Sequence, residues 1–258
     1  DRNFTAGTII QVVIQAVLYA SLAILPQFLQ SMMGYTAFLS GATMMPRGLG
    51  SMTAMMITAT LSNKLDNRLM VVAGLSLIGG AGLAFGALNL QISNMNIAIP
   101  NFFMGMGMGL SMVPIMNLSV DTLKNEQMTN ATGIQNLLKN IGSAIGTSLV
   151  ATMLTRFAQI HQYMLVGKLN DLNPVFISKM QSTAGALSAY AHQSVAQYMA
   201  QYSLYGDLIK QSTLWAFIDS FRIFGVICFL VIPLMLLMKK PKKAEVVVEE
   251  VKTPAGVK

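Results

Sequence analysis

An arginine and a proline stand side by side within a long apolar run of this sequence. The stretch GATMMPRGLGSM, residues 41–52, contains Pro46 and Arg47. Proline removes a backbone donor and kinks a helix, and an arginine at the centre of a membrane span costs about 2.5–3.5 kcal/mol on insertion scales. Such a side chain should face protein or a water-filled path instead of lipid. Arg47 is therefore predicted either to line a transport path or to lock two helices together, and the sequence leaves the two readings even.

Polar side chains also recur at helical spacing in two other apolar runs. Taken alone, such faces more often join helices than bind ligands. Together with Arg47 they predict a polar central cavity. Methionines at i,i+4 spacing in a further run could add soft contacts for varied apolar molecules, although packing is the better interpretation for most of them. The residues singled out for this path are Gln11, Gln15, Tyr19, Arg47, Met108, Met112, Asn136 and Asn140.

Small residues and one short loop are predicted to pack or gate the helices. Gly48 leaves little bulk beside Arg47, and Gly142 and Gly146 form a small-xxx-small pair that allows close helix contact. In the loop LSNKLDNR, an acidic side chain could cap the following helix while basic groups hold neighbouring helix ends; a solvated turn is the alternative. Those loop residues are Lys64, Asp66 and Arg68.

Asp219 and Arg222 lie in the last apolar run, three residues apart. A local ion pair is the favoured interpretation, and a proton site is the alternative. His161 and His192 fall in a polar connector and are expected on the surface, with no metal site. The sequence shows neither a nucleophile with its base nor a phosphate loop, so we expect no enzyme and no cofactor.

The composition indicates the environment in which these side chains lie. Hydrophobic residues make up 53% of the chain and charged residues 10%, against about 25% charged in ordinary soluble domains. The chain is predicted to be an all-α integral membrane protein with a six-helix transmembrane bundle. The predicted spans are Thr8–Leu29, Thr36–Leu61, Leu69–Leu90, Asn96–Asn117, Gly133–Phe157 and Leu214–Met238.

The basic residues predict the orientation of the spans. Arg2, Lys64, Lys124 and the lysines after the last span fall at alternate ends, which places both termini in the cytoplasm. The domains are then 1–157 with five spans, an extracytoplasmic helical connector 158–213, the last span 214–238, and a cytoplasmic tail 239–258. Asn173 and Pro174 predict a helix start in the connector, which is expected to lie on the membrane.

Three motifs resemble one family. The stretches MMPRGLG, NATGIQNLLKNIGSAIG and LSNKLDNR look like the C-terminal half of fourteen-span major facilitator drug:proton antiporters of the EmrB/QacA group. The opening DRNF, the connector start RFAQIHQYML and FIDSFR before the last span look most like the EmrB branch. The loop departs from the usual facilitator pattern because it lacks the opening glycine and carries Asn67 where a basic residue is common.

The resemblance implies a function for the bundle. It would be one half of a multidrug efflux transporter of the bacterial inner membrane, rocking against an N-terminal half absent from this chain. The proton gradient would drive export of small amphipathic drugs, and the coupling carboxylate would lie in the absent half. The expected partners are the lipid bilayer, a periplasmic adaptor and an outer-membrane channel, with no nucleic acid. The alternatives are a nutrient or metabolite importer and a membrane-embedded enzyme.

Overall fold

The structure of the chain, a computed structural model, describes residues 2–62, 65–89, 93–170, 172–189 and 192–237. These residues form α-helices and one short 3-10 helix, and no strand occurs among them. The helices are α1 Arg2–Ser31, α2 Ala37–Leu61, α3 Asn67–Phe85, α4 Asn94–Val120, α5 Asn125–Val166, α6 Pro174–Ser188 and α7 Gln193–Val231, followed by the 3-10 helix Ile232–Leu237. Lys64, Leu90 and the tail from Met238 onward, all used in the predictions above, lie outside the described residues.

Five described helices are long and apolar enough to cross a membrane: α1, α3, α4, α5 and α7. The exception among the predicted spans is α2. Its 25 residues would extend about 38 Å, which is sufficient length. Pro46, Arg47 and several serines and threonines make it too polar by composition. The expected all-α membrane bundle is confirmed, and α2 packs against α4 within it.

Close helix contacts in the bundle depend on glycines of α4. Gly105 lies against the backbone carbonyl of Arg47, and Gly109 lies against Ala54, both on α2. Gly107 lies against Gly74 on α3. Because these glycines alternate with methionines, the methionine side chains point round the helix and do not form one stripe. Alternation therefore lets α4 approach α2 on one side and α3 on the other.

An aromatic core holds α7 against α1 and α3. The Phe28 and Phe217 rings meet edge to face with centroids 5.3 Å apart, and those of Phe85 and Phe221 are 5.1 Å apart. All four side chains are fully buried. This core lies near the C-terminal ends of α1 and α3.

The connector is built differently from the prediction. α5 and α7 run without a break through Ala158 and Thr213, so most of the connector consists of extensions of these two helices. α6 begins at Pro174 with Asn173 as its cap, as the sequence indicates, and the Asn173 side chain accepts a hydrogen bond from the Val175 backbone. α6 packs along α7, and none of its residues is fully buried.

Two helices keep open apolar faces. Only 17% of the most apolar window of α5 is buried within this chain, against 56% for α1. On α2, Met45, Met52 and Met56 are all more than half exposed. Faces of this size and polarity need lipid or another protein surface against them.

Candidate functional site

Arg47 lies inside the bundle, where α2 meets α1 and α4. Its side chain is 6% exposed, and its Nη2 donates a hydrogen bond of 2.9 Å to Ser21 Oγ on α1. Its Nη1 has no partner, and no described residue forms an ion pair with it. Arg47 therefore joins α1 to α2 through a hydroxyl group, and one charged N–H group remains free for an acceptor.

A polar seam continues from Arg47 toward the start of α2. Asn101 on α4 is fully buried, and its Nδ2 donates to the Thr43 carbonyl across 3.5 Å. The Asn101 Oδ1 and the Ser40 hydroxyl are buried without a partner. Unsatisfied polar atoms at depth cost roughly 1–3 kcal/mol each, so a cluster of them marks a place where water or a ligand group fits.

A cavity of about 200 Å³ lies between α1, α2, α4 and α5. Gln11 and Lys139 supply its polar lining, and methionines and aliphatic side chains supply the rest. Gln11 is 5% exposed and its Oε1 has no partner. The lining residues are Gln11, Ile14, Met55, Met112, Val113, Ile115, Met116 and Lys139. The structure thus brings together Gln11 and Met112 of the predicted path and adds Lys139, which was not among the predicted path residues.

The other predicted path residues do not line this cavity. Gln15 is half-buried and its Oε1 has no partner, while Tyr19 is 42% exposed. Asn136 and Asn140 are exposed, on the side of α5 that the rest of this chain leaves open, and Met108 is half-buried on α4. Arg47 is eight residues from Met55 along α2, about 12 Å away. The predicted path residues are therefore divided: Arg47 lies about two helical turns from the cavity, and Asn136 and Asn140 lie on the open face of α5.

Two of the three predicted packing glycines contact another helix, and the third does not. Gly142 lies against the backbone of Val12, and Gly146 against that of Ala16, so α5 and α1 approach closely. Gly48 has open space beside it and packs against no described helix, contrary to the prediction. Gly50, two residues later, lies against the Phe102 carbonyl of α4 instead. Two residues correspond to about 200° of helical rotation, which turns Gly48 away from the seam.

The short loop before α3 only partly follows its prediction. Asp66 occupies the N-cap position of α3, but its carboxylate makes no capping hydrogen bond. The Ser62 hydroxyl and the Asn67 side-chain oxygen lie 3.3 Å apart across the loop. The Arg68 guanidinium is buried at Nε and Nη2 without a partner. Arg68 is therefore available for an acceptor outside the described residues.

Asp219 belongs to a network at the outer end of the bundle. Its Oδ1 lies 3.7 Å from Arg222 Nη1, as the predicted i,i+3 pair requires. Its Oδ2 lies 2.7 Å from His161 Nε2 on α5, and Arg222 Nε donates to the Gly86 carbonyl at the end of α3. His161 was assigned only to the surface, because the sequence does not show that α5 continues far enough to reach α7. The network joins three helices.

A larger cavity, of about 340 Å³, lies in the connector. It is bounded by the end of α5, the start of α6 and the first half of α7, and Phe176, Lys179 and Asp207 are among its lining residues. Lys179 and Asp207 are 3.7 Å apart and both largely exposed. None of its lining residues lines the cavity that contains Gln11.

Residues 2–147, which include α1 to α4 and the first half of α5, match the Major Facilitator Superfamily. The chain belongs to this superfamily. Membership accounts for a bundle in which polar side chains such as Arg47 and Gln11 are buried, since transporters of this kind bind their cargo between helices.

Individual members of the superfamily are similar over most of the chain. The probable multidrug resistance protein EmrY of Escherichia coli is 25% identical over 247 residues, covering 93% of this chain and 46% of EmrY. The colistin resistance protein EmrB of Acinetobacter baumannii is 25% identical over 243 residues, covering 94% of this chain and 47% of that protein. These relatives confirm the predicted EmrB branch.

A shorter match has higher identity. The multidrug resistance protein B homolog of Mycobacterium tuberculosis is 32% identical over 162 residues, covering 60% of this chain and 29% of that protein. The chain spans less than half the length of these curated relatives. As a member of this superfamily, it is a multi-pass membrane protein in contact with the lipid bilayer.

Proposed function

We propose that this chain forms the C-terminal half of a proton-coupled exporter of small amphipathic drugs in the bacterial inner membrane. The observation that carries the proposal is the cavity in which buried Gln11 meets three methionines, between helices whose outer faces are open. Methionines adapt to ligands of different shapes, and a few polar groups orient them. The names of the EmrY and EmrB relatives support drug resistance as the role.

Alternating access is the mechanism that fits the open faces. α2 and α5 each expose an apolar face beside the cavity, so an N-terminal half resting on both would close the cavity from the side. Rocking of the two halves would then open the cavity to one side of the membrane at a time. Drug would enter from the cytoplasm, on which we place both ends of the bundle, and leave on the outer side.

Energy would come from the proton gradient and not from a bound cofactor. Among the described residues, Asp219 is the only carboxylate within a predicted span, and it already pairs with His161 and Arg222. We therefore place the coupling carboxylate in the N-terminal half. The free Nη1 of Arg47 is a suitable partner for an acceptor on that half or on the drug.

We further propose that the connector binds a periplasmic adaptor that passes drug to an outer-membrane channel. α6 packs against α7, and Phe176, Met180 and Leu187 are half-buried apolar residues of α6. The side chains of Gln181, Gln193 and Gln197 are exposed on this pair. Glutamines on a fixed helical surface can make specific hydrogen bonds without charge steering.

Export by the intact transporter tests the proposal. Inverted membrane vesicles containing the full-length protein should accumulate a fluorescent amphipathic drug when respiration acidifies their interior. Collapse of the proton gradient with an ionophore should release it, whereas collapse of the electrical potential alone should leave part of the accumulation. Accumulation that does not depend on the proton gradient would contradict proton coupling, and no accumulation of any amphipathic drug would contradict the exporter.

A further inference from the structure

The outer half of α7 carries an apolar seam that the described chain leaves exposed. The large side chains of this seam follow one another at separations of three and four residues in turn. They are Val195, Tyr198, Tyr202, Tyr205 and Ile209. We propose that the seam is the docking surface for one amphipathic helix of an extracytoplasmic partner, which packs along α7 as in a coiled coil. The inference rests on the proposed contact of the connector with an adaptor, and it names the surface and the kind of segment that make the contact.

The spacing of the seam residues is the first argument. Alternating separations of three and four residues are those of the a and d positions of a heptad, so the five side chains lie on one face of the helix. Four residues on the other side of the same segment are buried within the chain: Ala196, Ala200, Leu204 and Leu208. The outer half of α7 therefore has two apolar sides, and this chain covers only one of them. A seam with heptad spacing fits a second helix.

The height of the seam argues against lipid as its cover. Tyr205 lies nine residues before Leu214, the predicted start of the last span, which is about 14 Å along the helix. Tyr198 lies about 24 Å from the same point. The polar headgroup layer extends only about 5–8 Å beyond the hydrocarbon core on each side. Most of the seam therefore stands above the lipid, where a row of exposed apolar side chains marks a site of contact with another protein.

The chemistry of the seam also describes the partner. Tyrosine supplies a large apolar ring with a hydroxyl that can stay hydrogen-bonded at the edge of a contact, and it is enriched among the residues that dominate protein interfaces. From Met180 to Gly206 the chain contains no Asp, Glu, Lys or Arg. A helix that fits this surface therefore carries small or aliphatic residues at its own a and d positions and neutral polar residues beside them.

A second copy of this chain fits the seam less well than such a helix. Two copies inserted the same way in one membrane would pair their α7 helices in parallel and bring each tyrosine against its counterpart at the same height. Parallel two-stranded coiled coils favour Ile or Val at a and Leu at d, whereas three of the five seam positions hold tyrosine.

Photocrosslinking of the full-length transporter in intact cells tests this inference. p-Benzoylphenylalanine, a photoreactive analogue of tyrosine, replaces Tyr198 or Tyr202 in the seam. It replaces Tyr163 as the matched control, because Tyr163 is an 86% exposed tyrosine of α5 outside the seam. Mass spectrometry then locates the crosslinked residues. Both seam positions should crosslink to one helical segment of one protein, at residues three, four or seven apart in that segment, and position 163 should not reach it.

A charge placed in the seam gives a second readout. Tyr202→Glu should lower the crosslinking yield from position 198 by about 10-fold or more, because the contact would bury a carboxylate without a partner. Tyr202→Phe should keep the yield within about threefold of the original, since the ring stays in place. Tyr163→Glu controls for the added charge and should leave the yield unchanged. Tyr202 is 82% exposed, so these changes do not disturb the fold of the chain itself.

Four results would overturn the inference: crosslinks to lipid, crosslinks to a second copy of the chain, crosslinks to the N-terminal half of the same transporter, or no crosslinks from the seam. A yield that Tyr202→Glu leaves unchanged would overturn it as well. If the seam captures a helix of a protein whose deletion leaves export intact, the adaptor proposal fails and the docking surface stands. If export requires an adaptor that crosslinks only elsewhere on the connector, the docking surface fails and the adaptor proposal stands.

Discussion

At the scale of single residues, Arg47 joins two helices and keeps one donor without a partner. One side of its guanidinium joins α1 to α2 through Ser21, and the other side carries an unsatisfied N–H group. A buried guanidinium with an unpaired N–H donor lowers the stability of the fold. We therefore expect that Arg47 makes a further contact only in the working transporter. A pure helix lock would be served better by neutral side chains.

We expect Arg47→Ala in the intact transporter to abolish export while the protein still reaches the membrane. Arg47→Lys should rescue only part of the activity, because a compact ammonium group lacks the planar fork that contacts Ser21 and a second acceptor together. Export from cells and the amount of protein in the membrane fraction are the measurements. Normal export by Arg47→Ala would show that Arg47 is only structural.

Glycines on two neighbouring helices allow a paired test of packing. A Cβ atom on Gly105 would lie 2.0 Å from the backbone oxygen of Arg47, whereas one on Gly48 would have nothing within 4 Å. Gly105→Ala should therefore force α2 and α4 apart and lower the thermal stability of the detergent-purified transporter, by about 1–3 kcal/mol for an overpacked contact. Gly48→Ala is the control and should be neutral or slightly stabilising, since alanine favours helix over glycine.

Equal thermal stability of the two alanine variants would show that the α2–α4 contact is looser than the structure indicates. The comparison is informative because both changes add a single methyl group in the membrane-spanning part. Both substitutions change helix propensity by the same amount, but only Gly105→Ala also disturbs a contact between helices. The difference in stability between the two variants therefore measures the contact.

At the scale of elements, the outer end of α5 is fastened to α7 by side chains. His161 contacts Asp219, and Gln162 donates to the Tyr205 hydroxyl across 3.1 Å. Asp219→Asn should loosen this end, so residues 158–166 should exchange amide hydrogens faster while export continues. Asp207→Asn, which removes only the exposed pair with Lys179, is the control and should leave exchange in 158–166 unchanged. Loss of export with unchanged exchange would instead identify Asp219 as a proton site.

The connector prediction concerns its exposed surface. Cysteines introduced at Gln181 or Gln193 should crosslink to the adaptor in intact cells, because both side chains are exposed on the α6–α7 pair. A cysteine at Lys64, in the predicted cytosolic loop, should not. Replacing the connector by a short Gly/Ser linker should leave the bundle folded and uncouple adaptor binding. Unchanged adaptor association after that replacement would show that the connector is only a spacer.

The elements also show what sequence patterns could and could not predict. Apolar length identified α1, α3, α4, α5 and α7, and the Asn173-Pro174 pair located the start of α6. Local patterns could not show that α5 and α7 continue as single helices through polar residues, because such continuation depends on contacts like that of His161 with Asp219. The same limit explains why the sequence did not show that Gly48 faces open space or that Lys139 lines the cavity. The rotation of each helix in the bundle decides which neighbours its residues meet.

At the scale of the whole molecule, the described residues place no surface against the apolar faces beside the cavity. The apolar faces of α2 and α5 remain open, and the cavity that contains Gln11 borders both helices. We predict that membranes containing only these residues move no drug. Export should appear when an N-terminal half of the same transporter is co-expressed as a separate chain. Drug efflux with this chain alone would contradict its assignment as half of a transporter.

The length of α7 has a mechanical consequence. Its first twenty residues, from Gln193 to Ser212, extend about 30 Å before the predicted span begins. Gln162 on α5 donates to Tyr205 in this segment, and Lys179 on α6 lies 3.7 Å from Asp207. A rigid arm of that length turns angle into distance: a rotation of the bundle by about 10° would sweep its tip through about 5 Å, nearly one helical turn. Each transport cycle would then deliver a stroke to whatever holds the tip.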